Sequence, residues 1–140
     1  MIKRYALSVS KPFESDIITD HDEEWLIVSE LPTHIHDYEA LIEIEQPILT
    51  PLFTDYGFES LNERFYLYES LVTAFSIADG DPIEIDMFLL QLEEYMIAQE
   101  KTDTTIYYIA KQYEELLTKV AATYDVTIRI FDLDKYEKND

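Results

Sequence analysis

Apolar and polar residues alternate over Tyr5-Ala6-Leu7-Ser8-Val9, the period of a strand with one buried face. Trp25-Leu26-Ile27-Val28 is a short apolar run that reads as a second strand. In Ala40-Leu41-Ile42-Glu43-Ile44-Glu45 the alternation sets Ile42 and Ile44 inward and Glu43 and Glu45 outward. Pro47 and Pro51 then break regular structure. From Ser60 the apolar spacing changes to that of a helix. Ser60-Leu61-Asn62-Glu63 has the form of a capping box, and Leu61, Phe65, Tyr68, Leu71, Val72 and Phe75 follow as a stripe that Asp79-Gly80 would end. Asp81-Pro82-Ile83-Glu84 opens a second helix, with Asp as cap and Pro at the first position. Its inner side is Ile85, Phe88, Leu89, Leu92, Tyr95 and Met96. A third helix is predicted from about Thr104 to Tyr124, along Ile106, Ile109, Ala110, Tyr113, Leu116, Leu117 and Val120. Val126-Thr127-Ile128-Arg129-Ile130 alternates once more as a strand, and the polar tail after Asp134 is expected to fray.

Three strands, three helices and a strand predict an α+β domain: a small, mostly antiparallel sheet with a three-helix segment. The 140 residues are the size of one domain and enough to bury a core without staples. The connection over residues 46–59 would serve as a hinge if the domain divides into a β-rich part, 1–46, and a helical part with a strand, 58–134.

Charge changes this picture. The formal net charge is -20, whereas solubility calls for only about 2–8 in magnitude for a small domain. With 47% hydrophobic residues, eleven Tyr and seven Phe, the chain is too apolar for an acidic disordered tail. The carboxylates are therefore expected on a folded, strongly acidic surface. Between Pro12 and Glu100 the one basic residue is Arg64, so the usual pairing of Glu with Lys along helix faces is forgone. A generically acidic surface, as in a halophile, is the plain alternative, and the ordinary sign balance of the two ends speaks against it. Cysteine is absent, which excludes disulfides, thiolate catalysis and Cys-based zinc sites. No signal-like or membrane-length apolar run is present, so the expected compartment is the cytoplasm, with no membrane association.

Catalytic signatures are few. Gly57 and Gly80, the two glycines, do not make a phosphate cradle, and a Gly-x-Ser-x-Gly elbow is missing. Direct nucleic-acid binding would need a basic groove. His34-Ile35-His36-Asp37 with Glu39 is the one cluster of catalytic look. On a strand both imidazoles would share a side and could hold a metal, with His21 or Asp22 as a third ligand. The competing reading is an ordinary segment with two surface histidines. Asp79-Gly80-Asp81 does not fit a calcium loop and is explained as a helix stop followed by a cap. No acid/base pair stands out among so many carboxylates. The expectation is a binding protein with no catalytic residue, no metal and no cofactor.

Duplex DNA carries one negative charge per ~1.7 Å of axis. A folded surface of closely spaced carboxylates would meet a basic DNA-binding groove with the same attraction and the same salt sensitivity. On this reading the partner-binding residues are Asp20, Asp22, Glu23, Glu24, Asp37, Tyr38, Glu39, Glu43, Glu45, Glu59, Glu63, Glu69, Asp86, Glu93 and Glu94. Tyrosines add apolar area with a polar tip. Tyr68, Tyr95 and Tyr113 lie at core spacing, while Tyr66, Tyr107 and Tyr108 lie off the stripes and are candidates for contact.

Ile35-His36-Asp37-Tyr38-Glu39, followed by Phe53-Thr54-Asp55-Tyr56-Gly57-Phe58-Glu59-Ser60-Leu61-Asn62-Glu63, resembles the ArdA-type antirestriction proteins. Tyr5 to Val9, Lys11, Phe13, Trp25 and Leu31-Pro32 echo the same family's first two strands. The resemblance spans roughly the first two-thirds of the chain and carries over to Asp37, Tyr38, Glu39, Glu59 and Glu63. The remaining carboxylates rest on charge alone. Too few residues separate Pro32 from the pentapeptide for the helix that the family places there, and the last third has no counterpart. The resemblance implies an elongated, acidic, DNA-mimicking homodimer that occupies the DNA groove of a restriction-modification enzyme. Two other readings stay open: an acidic immunity or anti-CRISPR protein that binds a nuclease, and a metal-binding protein using His34 and His36.

Overall fold

The computed structural model describes residues 1–8, 16–22, 25–33 and 35–133. The architecture is mixed α/β, with two antiparallel sheets and three α-helices. The first sheet holds β1 (Ile2–Leu7), β2 (Ile18–His21), β3 (Leu26–Val28), β4 (Glu39–Ile44), β6 (Gly57–Glu59) and β7 (Phe65–Tyr68), in the order β2-β3-β1-β4-β7-β6. The second holds β5 (Pro47–Leu49), β8 (Val72–Asp79), β9 (Met96–Lys101), β10 (Thr105–Ala110) and β11 (Thr127–Phe131), in the order β11-β8-β10-β9-β5. The helices are a single turn, α1 (Phe53–Tyr56), and two longer ones, α2 (Pro82–Leu92) and α3 (Glu114–Thr123).

In the second sheet, α2 connects β8 to β9 and α3 connects β10 to β11. This is the split β-α-β-β-α-β arrangement, in which each crossover helix packs on the same sheet face. Phe75 and Ile109 of the sheet meet Phe88 and Leu92 of α2 and Leu117, Val120 and Ala121 of α3. The opposite face, with Val72, Ala74, Ala98, Tyr108 and Ala110, packs on Ile42, Ile44 and Leu67 of the first sheet. The second sheet is thus buried on both sides, a condition that turns strands into near-continuous apolar runs.

Here the structure differs from the sequence expectation. The predicted helix over Ser60–Asp79 is instead the strands β7 and β8 joined by a 3-10 turn, Glu69–Leu71. The predicted helix from Thr104 is a strand as far as Ala110, passes through a 3-10 turn over Lys111–Tyr113 and becomes α-helical at Glu114. In both stretches every second residue faces one core and the rest face the other, so apolar residues fall at helical spacings by coincidence. Phe-Tyr-Leu-Tyr and Thr-Ile-Tyr-Tyr-Ile are built of aromatic and β-branched residues, which favour a pleated surface. Pro47 does not break structure either. It opens β5 at the sheet edge, where its missing N–H costs no ladder bond. The second helix starts as read, with the Asp81 carboxylate accepting from the Ile83 N–H at 3.0 Å and Pro82 at the first position, but it ends at Leu92; Tyr95 falls in a 3-10 turn and Met96 opens β9.

The first sheet curls. β2 lies at one edge and the β6–β7 turn at the other, yet their side chains meet. Asp20 Oδ2 accepts from Ser60 Oγ at 2.5 Å and from the Tyr66 hydroxyl at 2.7 Å, and Asp20 Oδ1 accepts from Asn62 Nδ2 at 2.6 Å and from the His21 N–H at 2.8 Å. The Arg64 guanidinium donates to the Thr19 carbonyl beside them. Ala6, Ile27, Leu41 and Tyr66 fill the concave side, walled by Trp25, Phe58 and Tyr68. Side chains rather than backbone ladders close this small barrel-like unit.

Ser60 explains the failed capping box. Its N–H donates to the Arg64 carbonyl at 2.8 Å, its carbonyl accepts from the Glu63 N–H at 3.0 Å, and its hydroxyl oxygen accepts from the backbone N–H groups of Asn62 and Arg64, each at 3.3 Å. Glu63 takes a positive φ of 62°, which a helix interior forbids. The four residues build a hairpin turn, not a helix start.

Candidate partner-binding site

The carboxylates singled out above divide into three sets. The first is structural. Asp20 is 2% exposed and Glu69 is 5% exposed, so neither can face a partner. Burial by itself would raise the pKa of Asp20, but the hydrogen bonds from Ser60, Tyr66, Asn62 and the His21 backbone outweigh it and hold its carboxyl below the usual aspartate range. Glu69 forms an ion pair with Lys3 at 3.2 Å, and Lys3 also donates to the Leu133 carbonyl at 3.0 Å. Both acids tie distant segments together. Tyr66 and Tyr108, expected as contact residues, are fully buried, and Tyr107 stacks on Phe75 with centroids 5.2 Å apart. The hydroxyls of Tyr66 and Tyr108 donate to Asp20 and to buried Glu100 respectively. A phenol that bonds a carboxylate packs inside at little cost, which spacing alone does not reveal. Tyr68, Tyr95 and Tyr113 are partly buried.

The second set is exposed. Asp37, Tyr38 and Glu39 form the approach to β4 and its first residue, and Tyr38 meets Tyr5 edge-on at 5.6 Å. Residues 35–38 are not a strand, so the alternation that would have aimed His34 and His36 to one side does not apply. Glu45 follows β4, Glu59 ends β6 and Glu63 sits in the hairpin turn, all exposed. Asp86 lies on α2, and Glu93 and Glu94 lie in the 3-10 turn that follows it. None of these exposed carboxylates has an ion-pair partner among the described residues. Two acids stand between the buried and the exposed sets: Glu43 is half-buried and pairs with Arg4 at 3.2 Å. Asp22 is half-buried in the β2–β3 turn, where its backbone exchanges hydrogen bonds with that of Trp25.

The third set, Glu23 and Glu24, lies outside the described residues, as does His34. His21 and His36 are exposed, and no three side chains of metal-ligating type converge among the described residues.

Two local groupings emerge. Glu43, Glu45 and Glu63 line one shallow cleft of about 360 Å³ with Gln46, Arg64, Ile44 and Phe65. Glu93 and Glu94 line another depression with Leu90 and Gln91. Burial, and then the charges of Glu39 and Asp22, push the Tyr68 hydroxyl up from the usual phenol value. The Tyr66 hydroxyl is pushed up by burial, by its bond to Asp20 and by Glu43.

Among the described residues, no ion pair joins a basic side chain to Glu45, Glu63, Glu93 or Glu94, whereas Glu43 is paired with Arg4. Lys3 and Arg4 engage Glu69 and Glu43, and Arg64 reaches the Thr19 carbonyl. The remaining pair, Lys119 with Glu115 at 3.8 Å, is an exposed i,i+4 contact on α3 that contributes little. Among the described residues, no helix is long and apolar enough to cross a membrane. No protein-family model, curated protein or solved structure matches the chain.

Proposed function

We propose that this protein is a non-enzymatic inhibitor that mimics DNA and occupies the basic DNA-binding groove of a restriction-modification enzyme. The observation that carries the reading is the set of exposed carboxylates that have no ion-pair partner among the described residues: Asp37, Glu39, Glu45, Glu59, Glu63, Asp86, Glu93 and Glu94. With a net charge of -20 and the few nearby cations engaged internally, this surface is strongly acidic. Its carboxylates stand in for phosphates. Glu45 and Glu63, which line one shallow cleft, form part of the footprint. The resemblance of residues 35–39 and 53–63 to antirestriction proteins names the target class. It also implies a homodimer, while the residue types and the charge lead us to expect a cytoplasmic protein with no metal, no cofactor and no contact with nucleic acid itself.

The test is competition. A purified multisubunit restriction-modification enzyme is titrated with this protein against labelled duplex DNA at several salt concentrations. The expected outcome is displacement of DNA with an affinity that falls steeply as salt rises. Reversal of Glu45, Glu59, Glu63, Glu93 and Glu94 to Lys together should abolish displacement and leave thermal stability equal or higher, because self-repulsion falls. Displacement indifferent to salt would refute the decoy reading. A tight stoichiometric complex with a basic nuclease, without effect on restriction, would favour the immunity or anti-CRISPR alternative.

A further inference from the structure

Helix α2 carries two apolar stripes. Phe88 and Leu92, with Ile85 and Leu89 partly buried, face the second sheet and α3. On the far side, Ile83, Met87 and Leu90 are 72%, 45% and 64% exposed. These positions follow the i, i+4, i+7 pattern and extend about 10 Å along the helix axis. The flanking positions are acidic or polar and exposed: Glu84 and Gln91 on one side, Asp86 and Glu93 on the other, with Glu94 beyond the end. An exposed helix gains solubility from Lys or Glu at such positions, and three large apolar side chains in one row forgo it. A row of this kind rimmed by polar residues is the form of a helix that lies in a groove.

The rim decides the occupant. A second copy docked through a two-fold axis would set one acidic rim against the other, with Asp86 of each copy toward Glu93 of its mate, which like-charge repulsion opposes. An anionic bilayer is opposed by the same charges. The complementary surface has an apolar floor and Lys or Arg along its walls.

We propose that the Ile83–Met87–Leu90 stripe is the apolar anchor of the partner contact, seated in a protein groove whose floor is apolar and whose rim is basic. This rests on the reading of the protein as an acidic decoy and adds what charge cannot supply. Carboxylates steer the encounter and are screened by salt, whereas desolvated apolar side chains slow dissociation and persist in salt. A pure phosphate mimic would release its target at high salt, and an anchored one would retain part of its grip.

The experiment uses the full chain and its triple variant Ile83→Gln, Met87→Gln and Leu90→Gln, with circular dichroism and thermal melts checking the fold. One arm repeats the displacement of duplex DNA from the restriction-modification enzyme from low salt to roughly 0.5 M, where the screening length is only a few Å. The expected result is that the triple variant loses at least about tenfold in affinity, the scale of a truncated interface anchor, with its salt slope unchanged. Reversal of Glu84, Asp86, Glu93 and Glu94 to Lys should flatten the slope instead. If the triple variant displaces DNA as well as wild type at every salt, the anchor is refuted while the decoy reading stands.

If wild type displaces no DNA at all, the decoy reading falls and a second arm judges the anchor. There the probe is a synthetic amphipathic helix of Leu and Lys, followed by methyl NMR. Shifts centred on Ile83, Met87 and Leu90 that vanish in the triple variant support the site. Binding elsewhere, or binding that the variant retains, overturns it. Concentration-dependent self-association of wild type that the triple variant abolishes would overturn it in favour of a second copy.

Discussion

Asp20 should matter to the fold far more than to any partner, and Asp20→Asn tests this. The carboxylate accepts four hydrogen bonds at 2.5–2.8 Å from Ser60, Asn62, Tyr66 and the His21 backbone, linking one sheet edge to the other. Asn keeps the shape but accepts through one oxygen only and turns its amide toward groups that are themselves donors. Hydrogen bonds to a charged group contribute about 1.5–3 kcal/mol each, and donors left buried without an acceptor add a desolvation cost. The bonds share one acceptor and do not add, so the expected loss is about 3 kcal/mol, and about 3–5 kcal/mol for Asp20→Ala. At a urea slope of roughly 2 kcal/mol per M, the Asn variant should unfold about 1.5 M earlier at pH 7.

The pH dependence has a definite sign. The folded-state pKa of Asp20 is depressed, so its contribution is complete above the unfolded value near 4 and is lost as pH falls through the lower folded value. The gap in urea midpoint between wild type and Asp20→Asn should therefore hold steady from neutral pH to about 5 and narrow below about 4. Measuring the gap cancels the pH response of the other carboxylates, which both proteins share. Coincident urea curves at pH 7 would refute the edge-to-edge latch.

Gly57→Ala should destabilise severely, because a Cβ there would lie 2.1 Å from the Tyr66 carbonyl oxygen; a loss beyond about 3 kcal/mol, read as a fall in melting temperature, is expected. Asp81→Ala removes the bond to the Ile83 N–H and should cost about 1 kcal/mol, checked by chemical denaturation. Glu100 is 1% exposed and accepts from the Met1 ammonium at 3.1 Å, the Tyr108 hydroxyl at 3.0 Å and the Glu45 N–H at 2.9 Å. Glu100→Ala should cost about 3–5 kcal/mol by stranding a buried charge, again read from urea midpoints. Raising salt should raise the melting temperature of wild type, since screening relieves the repulsion of a chain at -20.

Local chemistry was legible in the sequence where it decides structure locally. Asp81-Pro82 starts α2 whatever surrounds it, because the cap and the fixed proline φ act within one turn. Strands β1, β3, β4 and β11 lie where alternating or short apolar runs predict them, within a few residues. The charge imbalance also comes from residue types alone. Only the tertiary structure decided the rest. Phe65–Tyr68, Val72–Asp79 and Thr105–Ala110 are strands with apolar residues on both faces, and burial on two sides erases the period that would have told strand from helix. Asp20 and Glu69 look like every other acid in the chain, yet partners 40 or more residues away draw them inside. Conversely, Ile83, Met87 and Leu90 have the composition of a core and stand in solvent, because α2 has only one sheet to lie on. Whether a carboxylate supports the fold or faces a partner depends on which distant donors reach it, and no spacing along the chain encodes that.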